Sequence, residues 1–258
     1  MLSRPRAILL DIDGCLITGD RPIARATETV THLARHWPLR LVTNTTSRPR
    51  RQIADQLRAM GFGIDIEQII TPCALARQVL VARGEQRGVL IADGAGHEDL
   101  AWFCRTAPEE ACSVLIASEA HSWRIADLAP AVKAVLGGAR LYTLQENRLF
   151  RRAGELVTDL GPVAAFVAYA GRCAWENLGK PSPLLFETLA AELQVPASEV
   201  LMVGDDAEFD VAGALRAGVG QAVLLRTGKY RSGDEDGIDP RPSAVLDSIA
   251  DLPRLLPD

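Results

Sequence analysis

Hydrophobic and polar positions come in blocks along this chain. It opens on a short apolar run, "AILL" (residues 7–10), that breaks off at Asp11. In "RPIARATETVTHLARH", Ile23, Ala26, Val30 and Leu33 fall at helical spacing, the pattern of an amphipathic helix. "LRLVTN" predicts a short strand, and residues 49–60 a helix stopped by Gly61. "TPCALARQVLVARG" predicts a helix with Thr71 as N-cap, Pro72 in the first turn and Gly84 as the stop. Then come "GVLIAD", a helical "HEDLAWFCR", "CSVLIAS" and a helix over 123–136. "RLYTLQENRLFRRAGELV" reads as two strand-like runs around a polar turn, and "PVAAFVAYAG" as a helix. The last third returns to the opening rhythm: helix in "SPLLFETLAAEL", buried strand in "VLMVGD", helix in "EFDVAGALRAG", strand in "GQAVLLRTG", and a short helix in "SIADLPRLL". Apolar strands alternating with amphipathic helices predict an α/β protein with a mostly parallel sheet. In such sheets, ligands bind beyond the carboxyl ends of the strands.

With 258 residues, nearly half of them hydrophobic, the chain sits near the upper size for a single core, and two domains are expected. "MLSRPRAILLDIDG" places charge inside its only apolar run, so it does not read as a signal peptide, and no window approaches a membrane span. A net charge of −5 argues against nucleic acid or an anionic membrane as partner. Arg48, Arg50 and Arg51 read as a solvated helix start rather than an anion-steering patch. Five scattered cysteines with no CxxC predict reduced thiols in a cytoplasmic protein.

The strand ends carry the candidate chemistry. Asp11 and Asp13 are two apart on an extended chain and project to one side, and Gly14 relaxes the backbone for the turn that follows. Thr43 and Asn44 end the second strand. Asp205 and Asp206 follow "VLMV", where Gly204 lets the backbone approach a ligand closely. Each piece taken alone reads as a turn or a cap; four of them at strand ends point to one site. Carboxylates converging there would be pushed toward protonation unless a cation sat among them. Oxygen donors with no nearby His or Cys favour magnesium.

"DIDGCL", "VTNTTS", "GKPSPLLF" and "GDDAEFDVAGALRAG", in that order, resemble the four motifs of the haloacid dehalogenase (HAD) superfamily of hydrolases. The long stretch between the second and third motifs resembles the NagD-like branch, subfamily IIA, which carries a large α/β cap there. Within it, the motifs are most similar to the group containing phospholysine/phosphohistidine/inorganic pyrophosphate phosphatase. The resemblance implies a Rossmann-like doubly wound parallel sheet with an inserted smaller α/β cap. It implies that Asp11 is the nucleophile, Asp13 the general acid/base, Thr43 and Asn44 phosphate-binding residues, and Lys180 the cation that neutralises nucleophile and phosphate. Asp205 matches a metal ligand, as do Asp11 and the backbone carbonyl of Asp13, while one of Asp206 and Asp210 takes an outer metal role. Asp13 has no task in dehalogenation, so its presence favours phosphoryl transfer.

Residues 85–176 are expected to form the cap, and 1–84 with 177–258 the catalytic core. Asn147, Arg148 and Gly161 are expected on a substrate-facing surface. His32 and His36, four apart, lack a third ligand, and "DGAGHED" (93–99) lacks the full glycine pattern of a dinucleotide loop. The leading expectation is a magnesium-dependent phosphatase of a small phosphorylated metabolite, possessing no nucleic-acid or membrane partner. A homodimer is what the family suggests. The alternatives are a phosphoramidate or pyrophosphate hydrolase, a phosphomutase, and a non-catalytic phosphate sensor on the same fold.

Overall fold

The computed structural model describes residues 2–92, 98–118, 124–152 and 155–257. In chain order the elements begin with β1 (Ala7–Asp11), β2 (Ile17–Thr18), β3 (Arg21–Pro22), α1 (Ala26–His36), β4 (Leu39–Val42), α2 (Arg50–Ala59) and β5 (Ile69–Ile70). Next come α3 (Pro72–Ala82), β6 (Arg87–Ile91), β7 (Cys104–Arg105), β8 (Ser113–Ile116), α4 (Ala129–Leu136), β9 (Arg140–Thr143), β10 (Leu149–Arg152), β11 (Glu155–Thr158), α5 (Leu160–Gly171) and β12 (Trp175–Asn177). The chain closes with α6 (Pro183–Glu192), β13 (Val200–Gly204), α7 (Gly213–Arg216), β14 (Gln221–Leu225) and β15 (Ala244–Leu246). These elements divide into two compact units. The first gathers Met1–Thr43, Arg50–Ile70 and Lys180–Asp258, and the second Asn44–Pro49 and Thr71–Gly179.

The first unit is built on a six-stranded sheet in the order β5-β4-β1-β13-β14-β15, with every pair parallel. Counted along this unit alone, the order is the doubly wound 3-2-1-4-5-6, which reverses direction between β1 and β13. All five residues of β1 and all five of β13 are buried, as expected of central strands covered on both faces. Ile8, Leu10, Leu41, Leu201 and Val203 pack with Val30 and Leu33 of α1 and Ile53 and Leu57 of α2 in one apolar cluster. Leu9 and Met202 alternate to the opposite face and are as deeply buried.

The second unit has its own parallel sheet, ordered β12-β9-β8-β6-β7. Along this unit the order is 2-1-3-4-5, the other common doubly wound arrangement. The unit also holds an antiparallel hairpin, β10–β11. Arg83, just past α3, makes a bidentate ion pair with Glu176 of β12 and donates to the Tyr142 hydroxyl in β9 at 3.0 Å. Helix α3, placed in the core segment by the 1–84 boundary, thus groups with the second unit.

The helix cap at Thr71 forms as the sequence predicts, its hydroxyl accepting from the Ala74 amide at 3.2 Å. Other expectations change. "HEDLAWFCR" makes only a 3-10 turn at Glu98–Leu100 before the edge strand β7. Leu100 and Phe103 bury one turn's worth of apolar surface, and nothing further along asks for a helix. The helix over 123–136 begins as a 3-10 turn at Ile125–Leu128 and becomes α-helical from Ala129; Trp123 lies outside the described residues, as does most of "DGAGHED". "RLYTLQENRLFRRAGELV" yields three strands, because β9 joins the parallel sheet and the hairpin forms downstream of the polar QEN stretch. The cysteines are free thiols. Among the described residues, no helix is long and apolar enough to cross a membrane.

Leu41 lies fully buried in β4. Leu41→Ala is expected to cost about 3 kcal/mol through the cavity it leaves, read as a lowered midpoint in urea unfolding. A loss below about 1 kcal/mol would show that this strand does not carry the core.

Candidate active site

At the point where the first unit's sheet reverses direction, two strand ends and one returning segment deliver polar side chains to one place. Asp11 ends β1 at the level of Val42 in β4, one step beyond the Leu10–Val203 pair. Past Gly204, Asp205 leaves β13, and a single π-helical turn at Ala207–Ala212 carries Asp210. The wider turn brings Asp210 back toward the strand it has just left; such turns recur at functional sites. Lys180 arrives from the returning segment ahead of α6.

All four side chains are buried: Asp11 is 5%, Lys180 3%, Asp205 2% and Asp210 1% exposed. The Lys180 ammonium donates to Asp11 Oδ1 and to the Val42 carbonyl at 3.3 Å, and lies 2.7 Å from Asp210 Oδ1. Burial pushes the Asp11 carboxyl well above the usual range against the pull of Lys180, and Asp210 and Asp205 push it further. Burial also raises Asp205, to about 6, with Asp210 adding to the effect. Burial alone would lower Lys180, but Asp11 and Asp210 outweigh it and hold the ammonium charged. Cys15 and Cys73 are pushed up by burial into the inert thiol form, which removes them as nucleophiles.

One ammonium faces three carboxylates here, so the ionised cluster carries excess negative charge. Oxygen atoms of Asp11, Asp205 and Asp210 lie within 4.8 Å of one another. Asp11 Oδ2 is buried with no hydrogen-bond partner. An all-oxygen donor set with an orphaned carboxylate oxygen fits a hard divalent cation.

Among the other sequence-derived candidates, Asp13 is exposed two residues beyond Asp11. Thr43 is buried at the end of β4, its amide donating to the Ile70 carbonyl at 3.1 Å, whereas Asn44 falls in the second unit. The sequence treats Asp206 and Asp210 as equals; the structure separates them. Asp206 caps the π-helical turn, accepting from the Glu208 and Phe209 amides, and pairs with Lys229 at 3.1 Å. Asp210 joins the cluster, and its Oδ2 accepts from the Asp206 amide at 3.1 Å. Gly204 makes room for the Asp210 carboxylate, whose Oδ2 stands 2.2 Å from where a Cβ would be. Sequence reasoning passed over Thr227, Gly228 and Lys229. Thr227 donates to the Gly14 carbonyl, and the Lys229 amide to Asp205 Oδ2. Their signal was the glycine-broken "RTGKY" after a buried strand, the same pattern that marked Asp11.

A six-stranded doubly wound sheet with a buried lysine–carboxylate centre at its switch point has the layout of α/β folds that bind ligands beyond the strand ends. The family description "Haloacid dehalogenase-like hydrolase" matches residues 8–101, and "HAD-hydrolase-like" matches 177–252. The chain is 32% identical, over 99% of its length and 95% of the relative's, to the phospholysine phosphohistidine inorganic pyrophosphate phosphatase of Bos taurus. Its fold is similar to that of the p-nitrophenyl phosphatase from Archaeoglobus fulgidus, with a TM-score of 0.88 at 21% identity, covering 98% of this chain and all of that one. NagD from E. coli K-12 gives a TM-score of 0.84 at 21% identity, covering 96% and 98%. The chain belongs to the haloacid dehalogenase-like hydrolase family and is an enzyme of the phosphatase class.

The raised carboxyl of Asp205 makes stability depend on pH. A group that holds its proton more tightly when folded stabilises fully below its unfolded pKa, and the benefit fades as pH rises through the folded value. With chelator present, the thermal midpoint should fall as pH climbs from about 4 through about 6. Asp205→Asn should flatten that slope in a pH series of thermal melts; parallel curves for the two proteins would contradict the assignment.

Proposed function

We propose that this phosphatase hydrolyses a small phosphorylated metabolite with the aid of Mg2+, through an aspartyl-phosphate on Asp11. The supporting observation is the buried contact of Lys180 with both Asp11 and Asp210, inside a carboxylate cluster suited to a divalent cation. An ionised carboxylate approaching a phosphate dianion meets strong repulsion, and Lys180 offsets it at close range in a low-dielectric site. Lys180 also fixes the orientation of Asp11 by holding Oδ1.

The Asp11 carboxylate forms the new bond to phosphorus as the ester oxygen leaves, and Asp13 gives that oxygen a proton. Asp13 then takes a proton from the water that attacks the phosphorus of the aspartyl-phosphate, which frees phosphate and restores Asp11. Thr43 and Asn44 hold the phosphoryl oxygens while charge spreads over them. Asp11, Asp205 and Asp210, together with the Asp13 carbonyl that the family resemblance implies, would hold Mg2+, whose charge would offset that of the carboxylates and the phosphate. Asp206, committed to its cap and to Lys229, supports the site from outside.

The second unit is the proposed cap, and its Gln145–Arg148 loop the proposed reader of the leaving group. Buried Gln145 accepts from the Asn147 amide at 2.6 Å and donates to Asp159, which also accepts from the Leu160 amide at 2.8 Å. A Cβ on Gly161 would sit 2.5 Å from the Glu146 carbonyl. Held this way, the loop presents the exposed Arg148 from a fixed backbone. Likeness to the Bos taurus enzyme supports a second reading, in which phosphoramidates or pyrophosphate are the substrates. A non-catalytic sensor is disfavoured, because binding alone requires neither Asp11 nor Asp13. The free thiols support a reducing, cytoplasmic setting.

Asp13→Asn is expected to lower kcat for p-nitrophenyl phosphate by about a hundred- to ten-thousand-fold, and Asp11→Asn to abolish turnover. Both variants should keep the wild-type circular dichroism spectrum. Wild-type turnover in either variant would refute the role given to that residue. EDTA should stop the reaction and added Mg2+ restore it; indifference to EDTA would remove the metal from the mechanism. Exchanging Asn147 and Arg148 together should alter the ranking of sugar phosphates, nucleotides, pyrophosphate and phosphoramidates in a substrate panel, and an unchanged ranking would clear the loop of that task.

A further inference from the structure

Asp205 does not hold its own position. Its carboxylate lies between two glycine backbones drawn from distant parts of the first unit. A Cβ on Gly14 would stand 2.2 Å from Asp205 Oδ2, and one on Gly228 only 2.0 Å from the same atom and 2.6 Å from the Gly14 Cα. Both glycines have positive φ, +95° and +56°, where a side chain is strained. Two hydrogen bonds complete the arrangement: Thr227 donates to the Gly14 carbonyl, and the Lys229 amide to Asp205 Oδ2. The amide fixes Oδ2, and with it the plane of the carboxylate that meets Asp11 and Asp210.

We propose that Thr227–Gly228–Lys229 is a positioning clamp for the metal site, fixing the rotamer of Asp205 and joining the turn after Asp11 to the loop after β14. The inference rests on the metal reading given under Proposed function. A ligand held by a backbone amide and closed in by two Cα atoms is ordered before the cation arrives, so less conformational freedom is lost on binding. Gly228→Ala drives a methyl into the carboxylate and must turn Asp205 aside. Thr227→Val removes the tie to Gly14 at nearly constant volume, and Thr227→Ser keeps it.

The test is equilibrium binding of Mn2+ to the metal-free protein, followed by electron paramagnetic resonance of the free ion with no substrate present. Gly228→Ala and Thr227→Val should each weaken binding by about tenfold to a hundredfold, the range seen when groups supporting metal ligands are removed. Thr227→Ser should restore wild-type affinity, which a general loss of packing would not do. Thermal melts in EDTA report whether each variant is folded, and if Gly228→Ala gives no cooperative transition the Thr227 pair decides. Folded variants that take up Mn2+ as tightly as the wild type overturn the clamp and leave the metal reading intact. A wild-type protein that takes up no Mn2+ overturns the metal reading and the clamp with it.

Discussion

The buried ammonium of Lys180 is the constraint on which the rest of the first unit turns. An ion removed from water must be met by charge and hydrogen bonds, and Lys180 has both: Asp11, Asp210 and the Val42 carbonyl. Removing the lysine would strand two carboxylates in the interior. With it in place, the cluster still holds more negative charge than positive, and that imbalance is the chemical resource of the site. On the metal reading proposed above, a bound cation would complete a centre that is electrically incomplete in the free protein.

Topology explains why these groups meet. The central strands β1 and β13 run in parallel and their following connections leave in opposite directions, so a crevice opens beyond their ends. Residues 9 and 10 have no choice but to be apolar there, since both faces of the strand are covered. The first position free of that demand is Asp11. The same logic delivers Asp205 from β13 and the 227–229 segment from β14. Substitutions in the buried strands should be felt as stability, and those one or two residues past the strand ends as chemistry.

Much of this was legible in the amino-acid pattern. The run "AILLDIDG" announces a central strand with polar cargo through its continuous apolar residues, and Thr71-Pro72 announces a helix start through local capping. What stayed hidden depended on partners remote in sequence. Asp206 and Asp210 are alike by composition, and only the π-helical turn commits one to capping and delivers the other to Lys180. Gly228 looks like any loop glycine until Gly14 and Asp205 are packed against it. "HEDLAWFCR" has helical spacing over too few residues, and pairing of β7 with β6 overrode it. The grouping of α3 with the second unit reflects contacts that no boundary glycine reveals.

The way out of the second unit carries one more implication. Its last strand ends at Asn177, whose side chain ties to the backbone of Gly179 on both sides, donating at 3.1 Å and accepting at 3.0 Å. Lys180 is the next residue in the chain. Only two residues therefore separate the inserted module's last strand from the buried ammonium that pairs with Asp11 and Asp210. Any foreign module grafted into this scaffold would have to finish in the same register, for a single residue gained or lost at the exit would carry the ammonium out of reach.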